Sequence, residues 1–542
     1  MIRPQVTRTV GFGLLFCFGL VFSVGSPRPA AGQSFSKGEK TACINGKASG
    51  FDCQSADLMS VLTPFELGST ESCAGLAFRD PEVILCEVND LWGWTDPDTG
   101  NEYALVGRED GTAFVDISDP LNPVFLGSLS HNGTGADIWR DIKTYQHYAY
   151  IVADRRGGIG IQVFDLLELV SHVGAPKAFA AVFEYPDDRF SVTSAHNIVI
   201  NEETGFAYVV GAKNGNNERV CGGGLHMVSL ANPVVPQFAG CFSAIGTGLA
   251  QTGYTHDAQC VVYHGPDQDH LGSEICMSAN ETHVVIADVT DKGAPFTISS
   301  VTYPDSHYIH QGWLTEDHKY YIQNDELDEK NGVVANTRTL IWDVIDLDDP
   351  VLIKEYFAPN TSIDHNLYIK GSLVYQSNYV DGLRILDITD IMEPVEVAHF
   401  DTHPENLGIF AGSWSNYPFF ESGVIAVSSS VDGLFLIELT VQGTVISNED
   451  EVTPTKFVVS DAYPNPFNDR LSITIGIPST QRIRVAIYDV LGREVRSVYS
   501  GLVSGGAEHR LAADIDDLPA GPYYYRVIGE DFTVSKPITK VK

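Results

Sequence analysis

Basic residues are scarce in this 542-residue chain, which has 34 Lys and Arg against 70 Asp and Glu and a formal net charge of −36. A surface of that sign repels phosphate backbones and argues against a nucleic-acid partner. Long apolar runs are missing after the first 24 residues, so no membrane span is expected in the mature chain. A Gly-x-Ser-x-Gly elbow, a phosphate-cradling glycine loop and a dinucleotide fingerprint are also missing, which disfavours serine hydrolases and nucleotide-dependent enzymes.

Residues 1–33 have the pattern of a secretory signal peptide. Arg3 and Arg8 precede an apolar stretch from Val10 to Val24, and small residues follow at 29–32. The apolar stretch is too short for a comfortable membrane span. The sequence therefore predicts an exported protein.

Cysteine is sparse, but its count is informative. Loss of the signal peptide removes Cys17 and leaves eight cysteines: Cys43, Cys53, Cys73, Cys86, Cys221, Cys241, Cys260 and Cys276. An even number in an exported chain favours disulfides, and pairing of neighbours (43–53, 73–86, 221–241, 260–276) is the simplest prediction. Sequence alone leaves other connectivities open. The spacings are unlike those of a compact zinc knuckle.

A unit of three short β-type runs recurs seven times between about residues 87 and 445. The clearest copy spans 364–396, and its third run carries a hydrophobic–hydrophobic–Asp–hydrophobic core. Alignment on that core brings seven positions into register: Asp116, Asp165, Ser229, Asp288, Asp343, Asp387 and Glu438. One such unit cannot bury both faces of its sheet, so the repeats predict a seven-bladed β-propeller closed into a ring. The recurring Asp residues are expected to bond to turn backbone.

The predicted propeller, residues 87–446, has different segments on either side. A cysteine-bearing lead-in segment spans 34–86, and a hydrophilic linker spans 447–456. Residues 457–542 contain short strands such as LSITIGI, RVAIYDV and YYYRVIG, separated by turns. This pattern predicts a small Ig-like β-sandwich.

Two segments resemble known families. The stretches AYPNPFNDRLSITIGIP, VAIYDVLGREVRSV and LPAGPYYYRV resemble the type A sorting domain of the type IX secretion system of Bacteroidetes-related bacteria. That resemblance implies passage across the outer membrane of a Gram-negative, Bacteroidetes-like cell, by the type IX machinery, to the cell surface or the medium. The remainder, with ACINGKASGFDC, IHQGWLTEDHKYYIQNDELDE, DHNLYIKG and GLRILDITD, resembles the choice-of-anchor B family with LVIVD-type propeller repeats. This second resemblance implies an ectodomain architecture and says little about activity.

Alignment of the innermost strands reveals a column of histidines. The aligned pairs in the second to seventh repeats are Arg140-Asp141, His196-Asn197, His256-Asp257, His310-Gln311, His365-Asn366 and Ser415-Asn416, with Trp92 or Trp94 in the first repeat. Because innermost strands surround the channel, the four imidazoles are expected to converge near the axis. Neutral imidazoles are ligands for Fe(II), Cu(II) or Zn(II). The sequence therefore offers His196, His256, His310 and His365 as a metal site.

Loops after the second strands are expected to open on the same face as the histidines. Glu281, Asp325 and Glu326 are the candidate catalytic carboxylates, as bases or as partners of the metal ligands. The predicted binding mouth has seven further residues: Trp139, Arg140, Asp154, Lys213, Asn280, Asn378 and Trp414.

The histidine column also has a purely structural interpretation. A His followed by Asx near a strand start can bond to the neighbouring blade's backbone and lock the ring, and duplication of blades then explains the repetition. Calcium is a weaker alternative cofactor, offered by the loop fragments at 96–102 and 267–274, neither of which matches a full EF-hand loop.

Two functions remain open from the sequence. The first is a secreted or surface propeller whose channel mouth binds a glycan, a peptide or a surface protein. The second is an extracellular metal-dependent enzyme that uses the histidine cluster for an unidentified reaction.

Overall fold

The computed structural model of the chain describes residues 38–69, 88–131, 139–154, 159–185, 192–404 and 409–440. In the C-terminal part it describes 458–459, 462, 465, 467, 470–476, 481–490, 493–503, 508–514, 518–529 and 532–541. The predicted signal peptide, the predicted linker, Cys73 and Cys86 lie outside these residues.

The described part of the chain is built from short strands, as the sequence predicts. A four-residue helix, α1 (Leu167–Val170), and a short 3-10 segment at 220–223 interrupt them. The strands before residue 440 are β1 (Lys47–Ala48), β2 (Phe51–Gln54), β3 (Ala56–Leu62), β4 (Val88–Thr95), β5 (Glu102–Arg108), β6 (Gly111–Asp116), β7 (Val124–Ser130), β8 (Arg140–Tyr145), β9 (Tyr148–Ala153), β10 (Ile161–Asp165), β11 (Lys177–Phe179), β12 (Phe183–Tyr185), β13 (Asn197–Asn201), β14 (Phe206–Val210), β15 (Leu225–Ser229), β16 (Gln237–Phe242), β17 (Asp257–Val262), β18 (Glu274–Ala279), β19 (Val284–Asp288), β20 (Phe296–Val301), β21 (Ile309–Leu314), β22 (Tyr320–Asp325), β23 (Arg338–Asp343), β24 (Val351–Phe357), β25 (Leu367–Lys370), β26 (Leu373–Ser377), β27 (Leu383–Asp387), β28 (Val395–Phe400), β29 (Ser413–Tyr417), β30 (Val424–Ser429) and β31 (Gly433–Leu439).

These strands form seven small sheets in chain order. The first sheet contains β4 to β7, the second β8, β9, β10 and β12, the third β13 to β16, the fourth β17 to β20, the fifth β21 to β24, the sixth β25 to β28, and the seventh β29 to β31 with β3. Strand β11 adds to β7 in parallel, and the β1–β2 hairpin extends the sixth sheet at β28. None of the sheets in the described part of the chain closes on itself into a barrel.

Each sheet packs both of its faces against neighbours. Successive residues of β22 show why: Tyr321 belongs to a hydrophobic cluster shared with the fourth sheet, and Ile322 to one shared with the sixth. A cluster of this kind lies between every pair of consecutive sheets, and Leu91 and Val424 share one between the first and the seventh. The first strands also contact one another in order, with β29 against β4. The packing is therefore cyclic, and the first strands lie innermost.

The recurring Asp residues have the local role that the sequence predicts. In the first sheet the Asp116 carboxylate accepts the backbone N–H of Ser118 at 2.9 Å, and in the sixth Asp387 accepts that of Thr389 at 2.8 Å. Asp343 makes the same bond to Ile345 N–H at 2.9 Å. Each carboxylate thus closes the turn after a third strand.

The N-terminal segment completes the seventh sheet. Strand β3 pairs antiparallel with β31, from Ala56 opposite Leu439 to Leu62 opposite Leu434. A disulfide between Cys43 and Cys53 ties the preceding hairpin together. The predicted pairs Cys221–Cys241 and Cys260–Cys276 are likewise confirmed.

A separate pair of sheets forms the C-terminal region. Its strands are β32 (Val458–Val459), β33 (Arg470–Gly476), β34 (Gln481–Asp489), β35 (Glu494–Val503), β36 (Glu508–Asp514), β37 (Gly521–Ile528) and β38 (Thr533–Lys540). One sheet has the order β32-β33-β36 and the other β35-β34-β37-β38. Apolar residues of both, such as Ile473 and Val485, share one hydrophobic cluster.

Candidate functional site

Four histidines form a continuous row at the starts of the first strands of sheets three to six. Ring centroids of His196 and His256 are 4.3 Å apart, those of His256 and His310 are 4.3 Å apart, and those of His310 and His365 are 4.5 Å apart. We call these four residues the histidine row. The structure therefore brings together the four residues that the sequence aligns in one column, because equivalent positions of cyclically packed sheets lie at the same height.

Two members of the row bond to the backbone of the next sheet. The Nδ1 atom of His256 lies 3.0 Å from the carbonyl oxygen of His310, and that of His365 lies 2.6 Å from the carbonyl oxygen of Trp414. A carbonyl only accepts, so Nδ1 must carry the proton in both rings and Nε2 keeps its lone pair. The ring-locking bonds thus leave these imidazoles in the tautomer that a metal ligand needs.

Glu326 lies between two rings of the row. Its carboxylate oxygens are 3.9 Å from Nε2 of His310 and 4.0 Å from Nε2 of His365, both beyond hydrogen-bond distance. The hydroxyl of Tyr379 donates to the carboxylate at 2.7 Å and fixes its position. A ligand atom from each of these two histidines and from Glu326 lies within 4.8 Å of the other two. The three side chains could therefore share one ion.

Burial controls the charge of Glu326 and of three histidines in the row. Burial lowers the pKa of His365 to about 3 and lowers the pKa values of His256 and His310 well below their usual range, so these rings are neutral. Charge repulsion between the imidazoles acts in the same direction. Burial also raises the pKa of Glu326 to about 7, which the Tyr379 bond partly opposes.

His196 stands apart from the other three. Its Nδ1 lies 3.0 Å from Asp154, whose other oxygen accepts from the ammonium of Lys213 at 2.8 Å. Burial would lower the pKa of His196, but the Asp154 bond and charge outweigh it and raise that pKa. Burial would raise the pKa of Asp154, and its two cationic partners lower it below the usual range. This end of the row is therefore a chain of an imidazole, a carboxylate and an ammonium group.

The predicted aromatic mouth residues lie at opposite ends of the row. The Trp139 ring is 6.2 Å from His196, and the Trp414 ring is 4.9 Å from His365 in an edge-on arrangement. Arg140 is different, because its guanidinium is buried and its Nε donates to the carbonyl of Arg108 at 2.6 Å. Arg140 therefore links the first and second sheets.

The remaining loop residues mostly hold the backbone. Asp325 accepts from the Tyr303 hydroxyl and from the N–H groups of His307 and Tyr308, which occupies both of its oxygens. Glu281, whose pKa burial raises, accepts the N–H of Leu249 at 2.7 Å. These contacts leave Glu326 as the candidate carboxylate best placed to act at the row.

The two asparagines of the predicted binding mouth, Asn280 and Asn378, differ in their hydrogen bonds. Asn280 is buried and bonds through its side chain to the hydroxyls of Thr255 and Thr247, at 2.7 and 2.8 Å. Asn378 is equally buried, and its side-chain amide has no hydrogen-bond partner within the described residues. Asn378 immediately precedes Tyr379, so an amide capable of binding a guest lies beside the residue that positions Glu326.

Tyr379 is a site residue that sequence reasoning missed. It is almost fully buried, and its φ of 39° lies in the left-handed region that bulky side chains rarely adopt. Glu281, in the corresponding loop of the fourth sheet, has a φ of 57°. Strained residues of this kind cluster at binding sites. No residue pattern in the chain signals a positive φ at a tyrosine.

A second group, which we call the carboxylate layer, consists of Asp90, Asp141 and Asp257 with Lys143. Each Asp accepts the N–H of the next residue at 2.7 Å, and the Lys143 ammonium bonds to Asp141 at 2.5 Å. Burial raises the pKa of Asp90 well above its usual range and that of Asp257 to about 7, and the Asp141 charge adds to both shifts. Burial alone would lower the pKa of Lys143, but the three carboxylates outweigh it.

The layer corrects the alignment of the first repeat. Asp90 bonds to Leu91 as Asp141 and Asp257 bond to their neighbours, so Asn89-Asp90 is the counterpart of the aligned pairs. A register shift between Val88 and Leu91 displaces the strand from the aligned positions. Trp92 therefore lies farther along β4 than the sequence alignment places it.

One carboxylate in each of the two loop fragments that the sequence offers for calcium makes internal bonds. Asp96 accepts from the Thr99 hydroxyl at 2.5 Å and from the Asp98 N–H at 3.3 Å, as in an ordinary polar turn. Glu274 is buried and accepts from Tyr208 at 2.5 Å and from Lys292 at 2.7 Å. These carboxylates therefore stabilise turns and sheet contacts.

Comparison with known proteins identifies one region. Residues 461–540 match the family described as "Secretion system C-terminal sorting domain", which confirms the predicted type IX sorting domain and makes this a secreted or cell-surface protein of Bacteroidetes-type bacteria. The sorting domain implies an interaction with the type IX secretion machinery. A search of curated proteins gives no match. No helix in the described ranges has the length and hydropathy to cross a membrane.

Two solved structures are similar to the chain at low identity. One is a functionally unknown protein from Desulfotomaculum acetoxidans DSM 771, with 10% identity over 60% of this chain and 94% of that chain, and a TM-score of 0.39. The other is a protein from Lactobacillus plantarum, with 11% identity over 80% of this chain and 100% of that chain, and a TM-score of 0.42.

Proposed function

We propose that the chain is an exported seven-bladed β-propeller of the choice-of-anchor B type that binds a divalent transition metal at the histidine row and presents it to an extracellular ligand. The seven repeats, the seven sheets and the hydrophobic cluster between the last and first sheets support the propeller. The C-terminal pair of sheets is then an Ig-like sandwich that carries the sorting signal.

The spacing of His310, Glu326 and His365 is the observation that carries the metal site. Two ligands of one ion, each about 2.0–2.2 Å from it, can be no more than about 4.4 Å apart. The measured separations of 3.9 and 4.0 Å fall within that limit, although they are too long for hydrogen bonds. Small movements of the carboxylate would complete the coordination.

The donor set favours a transition metal over calcium. Neutral imidazoles suit Fe(II), Cu(II) and Zn(II), whereas Ca²⁺ takes oxygen ligands. A bound cation would also hold Glu326 in its ionised form, because positive charge lowers the pKa of a neighbouring carboxyl group. His256 packs against His310 and is the nearest further imidazole.

The mouth around the metal would supply contacts to a glycan, a peptide or a surface protein. Trp139 and Trp414 offer aromatic surface, and Lys213 and Asn378 offer polar groups. Two histidines and one carboxylate leave coordination positions open, which supports a metal-dependent enzyme as the second candidate function.

Metal content after loading tests the proposal. The full exported chain is loaded separately with Fe(II), Cu(II) and Zn(II) in non-chelating buffer, and bound metal is measured by plasma mass spectrometry. We expect near-stoichiometric binding of at least one metal, lost in His310→Ala/His365→Ala. His147→Ala, whose ring lies outside the row against Tyr148, is the matched control.

Thermal unfolding is measured for every variant, so that loss of metal is distinguished from loss of fold. Failure of the wild type to retain any of the three metals would overturn the metal site. The imidazoles would then serve to lock neighbouring sheets, and the mouth would bind its ligand without an ion.

A further inference from the structure

A cavity of about 360 Å³ lies at the end of the innermost strands opposite to the histidine row. Its lining includes Trp92 of β4, Lys143 of β8, Gln259 of β17, Trp313 of β21 and Glu202, which follows β13. The histidines occupy the starts of these strands, and Gln259 and Trp313 each follow a row histidine by three residues, about 10 Å along a strand. The cavity is therefore a separate site on the same axis.

One wall of the cavity is aromatic. The indole rings of Trp92 and Trp313 both pack edge-on against Tyr368, with centroids 5.6 and 5.1 Å away. This packing holds both rings in place, yet both remain partly exposed. Rigid, half-buried indoles present a flat apolar surface to a guest at little entropic cost.

The cavity lining also offers polar groups with spare bonding capacity. The Oε1 atom of Gln259 accepts the N–H of Leu314 at 2.7 Å, which orients the amide, and its Nε2 has no hydrogen-bond partner among the described residues. The carboxylate of Glu202 makes no ion pair or hydrogen bond within the same part of the chain. The cavity thus supplies a donor and an acceptor beside its aromatic wall.

Charge narrows the class of ligand. The Lys143 ammonium already lies 4.4 Å above the Trp92 ring and bonds to Asp141, so the cation position on that ring is taken. An anion would meet Glu202 and Glu203 at the rim. A neutral ligand avoids both the occupied cation position and the repulsion by the two glutamates.

We propose that this cavity binds a neutral saccharide. The apolar C–H face of a sugar ring would stack on Trp313, and its hydroxyls would bond to the Gln259 amide, the Glu202 carboxylate and the Lys143 ammonium. The volume lies within the range of small-ligand sites and holds one or two sugar rings. This site does not depend on metal at the histidine row.

Binding of four named disaccharides tests the proposal. Cellobiose, maltose, lactose and N,N′-diacetylchitobiose are titrated at millimolar concentrations into the full exported chain, followed by saturation-transfer NMR and tryptophan fluorescence. We expect saturable binding of at least one, weakened about tenfold or more in Trp313→Ala. Phe296→Ala, an exposed aromatic on the outer strand β20, should bind as the wild type does.

Two more conservative variants test the cavity with less risk of misfolding. Gln259→Glu keeps the oxygen that accepts from Leu314 and removes the amide donor, and Glu202→Gln removes the acceptor charge at the rim. Either should weaken sugar binding several-fold without changing the melting temperature. Binding of none of the four disaccharides, or binding unchanged in all three cavity variants, would overturn the proposal. Saturable binding of tetramethylammonium in their place would assign the cavity to cations instead.

Discussion

The histidine row and the carboxylate layer occupy neighbouring positions in the innermost strands, as His256 and Asp257 show. They differ in how their buried ionisable side chains are compensated. The carboxylate layer contains its own cation, since Lys143 bonds to Asp141 and stabilises the surrounding carboxyls. In the row, His310 and His365 stay neutral, and Glu326 stands too far from either ring for a hydrogen bond. The layer has its counterion within the chain, whereas the row would receive one from outside if it binds metal as proposed.

Of the substitutions that test this comparison, removal of Lys143 should have the largest effect on stability. Lys143→Met leaves three buried carboxyls without their cation, and breaking a buried pair in this way typically costs about 3–5 kcal/mol of unfolding free energy. Urea unfolding of the full chain measures the change. Lys177→Met, which removes an exposed ion pair with Glu168, should change the midpoint little. Equal stability of Lys143→Met and the wild type would mean that Lys143 is not the counterion.

The next largest effect should be on the pH dependence of stability, through Asp257 of the carboxylate layer. The folded-state pKa of Asp257 is about 7, above its ordinary value, so the unfolded chain loses this proton first as the pH rises. The group's contribution to stability is thus fully present below about pH 4 and declines toward pH 7, by on the order of 4 kcal/mol. Asp257→Asn should remove that decline because Asn does not titrate, and its side-chain oxygen can still accept the Ala258 N–H.

Melting temperatures between pH 4 and 8 measure the effect of Asp257→Asn. Asp343→Asn, which keeps the equivalent bond in an exposed turn, serves as the control and should follow the wild-type profile. A profile of Asp257→Asn that parallels the wild type would assign the pH dependence to other groups.

Within the row, His365 and His196 should behave differently. His365→Ala removes a neutral imidazole of the proposed metal site and should weaken metal binding by about 100-fold or more. His196→Ala removes a ring bound to Asp154 and should change affinity only a few-fold. Calorimetric titration of each variant with the metal that the wild type retains measures both. Equal losses would show that all four imidazoles share the ion.

Tyr379→Phe should have an effect on metal affinity that lies between those of His365→Ala and His196→Ala. The substitution keeps the ring and removes the hydroxyl that positions Glu326, and loss of such a partner typically weakens metal binding by about tenfold. The same titration detects it, with the melting temperature as the check on folding. Unchanged affinity would mean that Glu326 needs no positioning.

The sequence predicts the repeat-borne features because they depend on local pattern. The aligned pairs His310-Gln311 and Ser415-Asn416 lie in the first strands β21 and β29, and the histidine row follows from equivalent positions in cyclically packed sheets. Asn89-Asp90 escapes the alignment because a register shift in β4 displaces it. The bond from Tyr379 to Glu326 joins equivalent positions of the fifth and sixth repeats that carry different residues, and such a contact between repeats depends on tertiary packing that no single repeat encodes.

The pairing of β3 with β31 has a consequence for the order of events in an exported chain. Residues 56–62 leave the ribosome and cross the inner membrane early, yet their partner strand ends at residue 439. The seventh sheet cannot assemble until nearly the whole ectodomain has crossed, and contacts this distant in sequence form slowly. The sorting domain is translocated directly after β31. The last strand of the seventh sheet and the sorting domain therefore emerge close together in chain order.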